Sequence, residues 1–159
     1  MSKVPSLSIF FMGAAAFAGF LIPIVLFIYF RKNKKTDISP FFVGCFIFIF
    51  FSMMLETSVH KVVLGSAIGA NIKNNIVLYA IYGGAMAAVF EECGRLFAFK
   101  VMLKKRRDKD INALMYGAGH GGFEAAAILG FTMISNLTLA AMVNGGKIES
   151  VLGNLSGDA

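Results

Sequence analysis

Residues 90–125 read FEECGRLFAFKVMLKKRRDKDINALMYGAGHGGFEA. Glu91, Glu92, Arg95, His120 and Glu124 sit here inside two apolar segments that flank a basic run at 104–109. Ionisable side chains inside membrane-length segments are costly and rare, so each is a candidate for function. The bland alternative is a set of ion pairs that only holds helices in register. Two adjacent acids, followed by a His and another acid one turn apart at similar depth, favour the functional reading.

The rest of the chain sets the context for that stretch. Of its 159 residues, 57% are hydrophobic and only 15% are charged, whereas a soluble globular domain carries about 25% charged residues. Mean hydropathy is +0.73. These values point to an all-α, multi-spanning transmembrane helical bundle whose solvent is the lipid bilayer. The formal charge of +6 is concentrated in two short clusters, which reads as membrane topology rather than nucleic-acid binding. Cys45 and Cys93 both fall within expected spans and are expected to be free thiols.

About four spans follow from the hydropathy. The first run, 7–30, carries no charge and is long enough to cross a hydrocarbon core of about 30 Å at about 1.5 Å per residue. It is too long for a signal peptide and is expected to be retained. Pro23 should kink it. After Arg31, Lys32, Lys34 and Lys35, Ser39 and Pro40 read as a helix cap and a first-turn proline. The second run, 41–64, ends with Glu56 and His60, which share a helix face. They read either as a pair at the membrane interface or as support for the site. Residues 65–75 read as a polar turn.

The third run is 76–103. Gly83, Ala87, Glu91 and Arg95 form one ridge, and Gly84, Ala88 and Glu92 form the next. Small residues at this spacing let membrane helices approach closely, so both ridges should face the interior. The fourth run, 111–144, carries another small ridge at Gly117, Gly121 and Ala125, with a bend or thinning expected near its clustered glycines. Residues 1–146 thus form the bundle, and 147–159 read as a disordered polar tail. The positive-inside bias makes loops 31–39 and 104–110 cytoplasmic in a cell-membrane protein, with both termini on the opposite side.

Depth brings the candidate residues together. Glu92 lies twelve residues before Lys104, or about 18 Å of helix. His120 lies eleven residues after Lys109, or about 17 Å. Antiparallel neighbours joined by a short loop would place Glu91, Glu92, His120 and Glu124 in one layer, with Glu56 at a comparable level. Two adjacent carboxylates do not both ionise cheaply in an apolar setting, and Arg95 can reach either one. Their roles should then separate into an ionised partner and a general base. His120 can donate to an oxyanion, hold water or ligate a metal.

EECGR followed by GHGGFEA resembles the YhfC family of intramembrane proteases. That family is related to the CAAX-prenyl endopeptidases and bacteriocin-processing membrane proteases, whose first motif is a Glu pair followed by an Arg. Glu91, Glu92 and Arg95 match this motif, with one residue fewer before the Arg than in the CAAX enzymes. His120 and Glu124 match the second, His-containing motif. The resemblance implies an integral membrane endopeptidase that cleaves a membrane-associated peptide or protein within or beside the membrane. Glutamate-activated water would attack the peptide bond with His120 assisting. Glu91, Glu92, His120 and Glu124 are then the catalytic candidates, and Arg95 and Glu56 the supporting ones. If a divalent metal such as zinc is used, Glu91, His120 and Glu124 would hold it. The resemblance also implies further spans and a later His-bearing helix in the family's C-terminal part, which this chain is expected to lack.

A different class, a proton- or cation-coupled transporter or channel-like bundle, can use the same acids and His. Paired halves or broken helices would mark it, and no repeat is visible. The topology itself is directly testable. A cysteine introduced between Lys104 and Lys109 should react with an impermeant maleimide only from the cytoplasmic side. Labelling from outside intact cells would reverse the orientation.

Overall fold

The computed structural model describes residues 3–147. The expected tail from residue 148 onward lies outside the described residues. The chain is all-α, with no strand among the described residues. Among the described residues, four helices are long and apolar enough to cross a membrane: Ser6–Asn33, Ser39–Leu64, Ile76–Met102 and Ile111–Asn144. Within them, Phe48–Glu56, Ala98–Met102 and Ala125–Gly130 are wound as π-helix. Residues 65–75 are not simply a turn. Ser66 Oγ accepts from the Gly69 N–H (3.3 Å) and caps a short helix, Ala67–Asn74. The Asn75 side chain then caps the third span by accepting from Val77 and Leu78.

Two compact units divide the chain. One joins residues up to Val25 with those from Glu124 onward. Its ends are tied by a reciprocal pair: the Val4 N–H donates to Asn144 Oδ1 (2.8 Å), and Asn144 Nδ2 donates to the Val4 carbonyl (3.1 Å). Farther along, Phe20 packs edge-on against Phe131, ring centroids 5.2 Å apart.

The other unit, Leu26–Phe123, carries most of the charged groups discussed above. Ile47, Ala98, Leu103 and Tyr116 form its buried cluster, with Val43, Phe51 and Phe99 packed against it. Contacts between its helices fall at different glycines from those expected. A methyl group added at Gly83, Gly84, Gly117 or Gly121 would meet nothing within 4 Å, so these ridges are not packing seams among the described residues. Close approach occurs instead between the second and fourth spans. A Cβ on Gly44 would collide with the Tyr116 carbonyl and the His120 N–H, and one on Gly119 with the Phe41 carbonyl. Gly94 seats the third span on Ile47 and Phe51 of the second. Clustered glycines do not thin the fourth helix either. Residues Ile111–Glu124 are regular α-helix, and the widened turn comes directly afterwards.

Ser39 is not the cap of the second span. Ile38 occupies that position and makes no side-chain cap bond. The preceding loop, turned by Lys35 in the left-handed region (φ 52°), is fixed by Asp37 instead. Its carboxylate meets Arg106 at 3.1 Å and Lys109 at 3.7 Å, and accepts from Asn112 Nδ2 at 3.0 Å. Asn112 is buried and fully used: its Oδ1 accepts from the Asp37 N–H (3.1 Å), and its Nδ2 also donates to the Arg106 carbonyl (3.0 Å). Both basic loops therefore lie at the same end of this unit.

Two predictions follow from these contacts. Gly44→Val and Gly119→Val should each lower the melting temperature, because overpacking a close contact costs about 1–3 kcal/mol. Gly83→Val and Gly121→Val should melt close to wild type, and equal damage at all four positions would remove the Gly44–Gly119 seam. The second prediction concerns acid. The hydrogen bond from Asn112, then that from Arg106, with Lys109 adding its charge, hold the Asp37 carboxyl below its ordinary value of 3.8. A depressed carboxylate contributes stability that is present above its unfolded value and is lost as the pH falls through its folded value. Asp37→Asn should therefore flatten the acid limb of thermal stability below pH 3.8, and superimposable limbs would discount the clasp.

Candidate active site

His120 lies on the buried face of the fourth span, held there because Gly119 and Gly44 let the two backbones touch. The Cys45 thiol reinforces the contact by donating to the Gly119 carbonyl at 3.4 Å. Cys45 and Cys93 are both free thiols, as expected. Only 7% of His120 is exposed. Phe48 meets the imidazole edge-on at 5.4 Å between centroids. On the other side, Tyr116 lies one turn back, with its hydroxyl 3.4 Å from Nδ1. Tyr116 in turn packs on Phe99 of the third span at 4.9 Å.

The second ring nitrogen is the chemically open one. His120 Nε2 is buried and has no hydrogen-bond partner among the described residues. Leaving such a group unpaired costs about 1–3 kcal/mol, and native interiors seldom tolerate it without a reason.

Arg95 could reach either acid, and it pairs with Glu92 three residues earlier. Both partners are exposed, at 47% for the Arg95 side chain and 65% for Glu92, which corrects the expectation of an inward-facing ridge there. The pair borders a cavity of about 410 Å³ that Cys93, Leu96 and Phe99 also line. Glu91 is half-buried and makes no ion pair among the described residues. The two adjacent acids thus sit in different surroundings.

Glu56 is engaged elsewhere. Its Oε1 meets His60 Nε2 at 3.2 Å, and His60 Nδ1 lies 2.9 Å from the Tyr82 hydroxyl. This Glu–His–Tyr chain bridges the second and third spans about two turns beyond Phe48. It pairs Glu56 with His60 across one helical turn, as their shared helix face suggested. Sequence reasoning noted the His60–Glu56 spacing but not Tyr82. Glu124 ends the α-helical part of the fourth span, one turn after His120, and is half-buried. It belongs with the other compact unit. Sequence reasoning also passed over Tyr116 and Phe48, although Tyr116 precedes His120 by one turn.

The sequence model of a family described as YhfC intramembrane metalloprotease matches residues 18–159. This chain belongs to the YhfC family. It is 34% identical over 148 residues to a Bacillus subtilis (strain 168) protein named "Uncharacterized membrane protein YhfC". The aligned part covers 92% of this chain and 57% of that relative, so the chain spans a little over half the relative's length. No solved structure matches it. Together with its four apolar helices, this relationship makes the chain a membrane protein.

The family description suggests a metal. A catalytic zinc takes three protein ligands and leaves one position open. Among the described residues, no three His, Cys, Asp or Glu side chains gather closely enough to hold an ion. The described residues alone therefore do not make up the three-ligand set that a catalytic zinc needs.

Proposed function

We propose that this YhfC protein contributes the site of a membrane-embedded endopeptidase, in which Glu91 activates water and His120 stabilises the oxyanion. The observation that carries the reading is the buried Nε2 of His120, which has no hydrogen-bond partner among the described residues. Hydrolysis of a peptide bond needs a base for the attacking water and a donor for the tetrahedral oxygen. Glu91 suits the first role because it is half-buried and makes no ion pair among the described residues. His120 suits the second. When the Tyr116 hydroxyl donates to Nδ1, the ring proton resides on Nε2, which then donates toward the developing oxyanion.

Glu92 and Arg95 have a different task on this reading. Their ion pair commits Arg95 to Glu92 rather than to Glu91. The substrate is a membrane-associated peptide or protein, since the site lies within helices of membrane length. The basic loops at 31–39 and 104–110 face the cytoplasm in this arrangement, following the positive-inside rule.

The test is cleavage of fluorogenic transmembrane peptides by the protein reconstituted in liposomes. Glu91→Gln and His120→Ala should each lower the rate by about 100-fold or more, the usual contribution of a positioned acid–base group. Tyr116→Phe should reduce it less, because it only loosens the tautomer. Glu56→Gln should lower stability while leaving the rate per folded molecule near wild type. Wild-type cleavage by folded His120→Ala would sink the proposal.

A further inference from the structure

A second candidate site lies away from His120, where the third span ends and the basic loop begins. A cavity of about 560 Å³ opens there, within the size range of small-molecule sites of about 300–1,000 Å³. Val101 and Met102, the last residues of the third span, line its apolar side and are 59% and 42% exposed. Lys104, Lys105 and Arg106 line its polar side, with Asp37 and Asp108 beside them.

Three cations against two carboxylates, Asp37 and Asp108, leave the lining net positive by one. Asp37 is already committed to Arg106, Lys109 and Asn112, so it serves to position the wall rather than to repel an anion. Arg106 spends Nη1 on Asp37, and a guanidinium carries five N–H donors in all. Lys104 and Lys105 make no ion pair among the described residues. Around the cavity, Arg107, Lys109 and the Arg31–Lys35 cluster add positive charge at the same end of the unit.

We propose that this cavity binds the headgroup of an anionic phospholipid. Its phosphate would sit against Lys104, Lys105 and the remaining donors of Arg106, with an acyl chain descending along Val101 and Met102. Free phosphate shares the polar chemistry but has no use for the apolar wall, which is why a lipid is the better occupant. The location fits as well. The cavity straddles the last apolar turn and the first cations, which is the depth of a headgroup, and basic pockets between membrane helices are known to take anionic headgroups.

The experiment uses the purified full chain in dodecyl maltoside micelles. Lipid retention is read by native mass spectrometry, and melting temperature is measured with added phosphatidylglycerol, phosphatidylcholine or inorganic phosphate. Phosphatidylglycerol should be retained and should raise the melting temperature, while the other two should not. Lys104→Gln with Lys105→Gln should weaken phosphatidylglycerol retention about tenfold or more. Lys32→Gln with Lys34→Gln removes the same charge from the neighbouring cluster and should change it by less than about twofold. Lipid-free melting of both double variants reports separately on folding, which these exposed lysines should leave intact. Equal loss in both double variants would mean diffuse surface charge and would overturn the site. Equal stabilisation by inorganic phosphate, or equal retention of phosphatidylcholine, would overturn the lipid assignment.

Discussion

Contact between the backbones of the second and fourth spans at Gly44 and Gly119 governs what the rest of the Leu26–Phe123 unit can do. Inside a membrane, lipid tails are as apolar as leucine, so helices associate through close packing and hydrogen bonds rather than water exclusion. Gly44 lies directly against the Tyr116 carbonyl and the His120 N–H, and Gly119 against the Phe41 carbonyl. No side chain intervenes at this level. The imidazole one residue later is thus carried into the interior, where Phe48 closes one side and Tyr116 the other. A larger residue at either glycine would push the helices apart and move His120 with them.

Depth along the fourth span is set independently by the Asp37 clasp. Asn112 occupies the first turn of that helix and is bonded to both the Asp37 main chain and its carboxylate. His120 follows eight residues later, or about 12 Å along an α-helix. The clasp fixes where the helix begins, and Gly119 fixes which face turns inward. Together they specify the height and direction of one side chain from two places that carry none of the proposed chemistry. Such support from outside is what a reactive group needs, since a site held loosely by about 1 Å loses much of its effect.

The four apolar helices and the all-α class were legible because hydropathy over membrane lengths is a coarse signal and survives small errors at the ends. The pairing of particular helices was not. Small-xxx-small spacing picks out Gly83, Gly84, Gly117 and Gly121, whereas Gly44 lies between Pro40 and Phe48 and Gly119 between Met115 and Phe123 at that spacing, so the pattern misses both real contacts. Only the three-dimensional arrangement reveals them. The π-helical turn that begins at Phe48 is invisible to hydropathy, because widening the hydrogen-bond ring leaves composition unchanged. It alters which residues face inward, which is one reason Phe48 was not anticipated beside His120. Asp37 was missed for a different reason. A single acid in a basic loop reads as solvated, and only the fold brings Arg106, Lys109 and Asn112 around it.

The acid pair shows how adjacency in sequence misleads and then informs. Glu91 and Glu92 read as a unit, yet neighbouring positions on a helix point about 100° apart and face different surroundings. Arg95 is three residues from one and four from the other, and both spacings are within reach. The structure puts it on Glu92. That choice matters because an ion pair and a general base are incompatible duties for one carboxylate: strong pairing lowers proton affinity, and a base must accept a proton. With Arg95 committed to Glu92, Glu91 makes no ion pair among the described residues. On the proposed reading, the second acid is therefore not a spare catalytic group but the means by which the first is kept available.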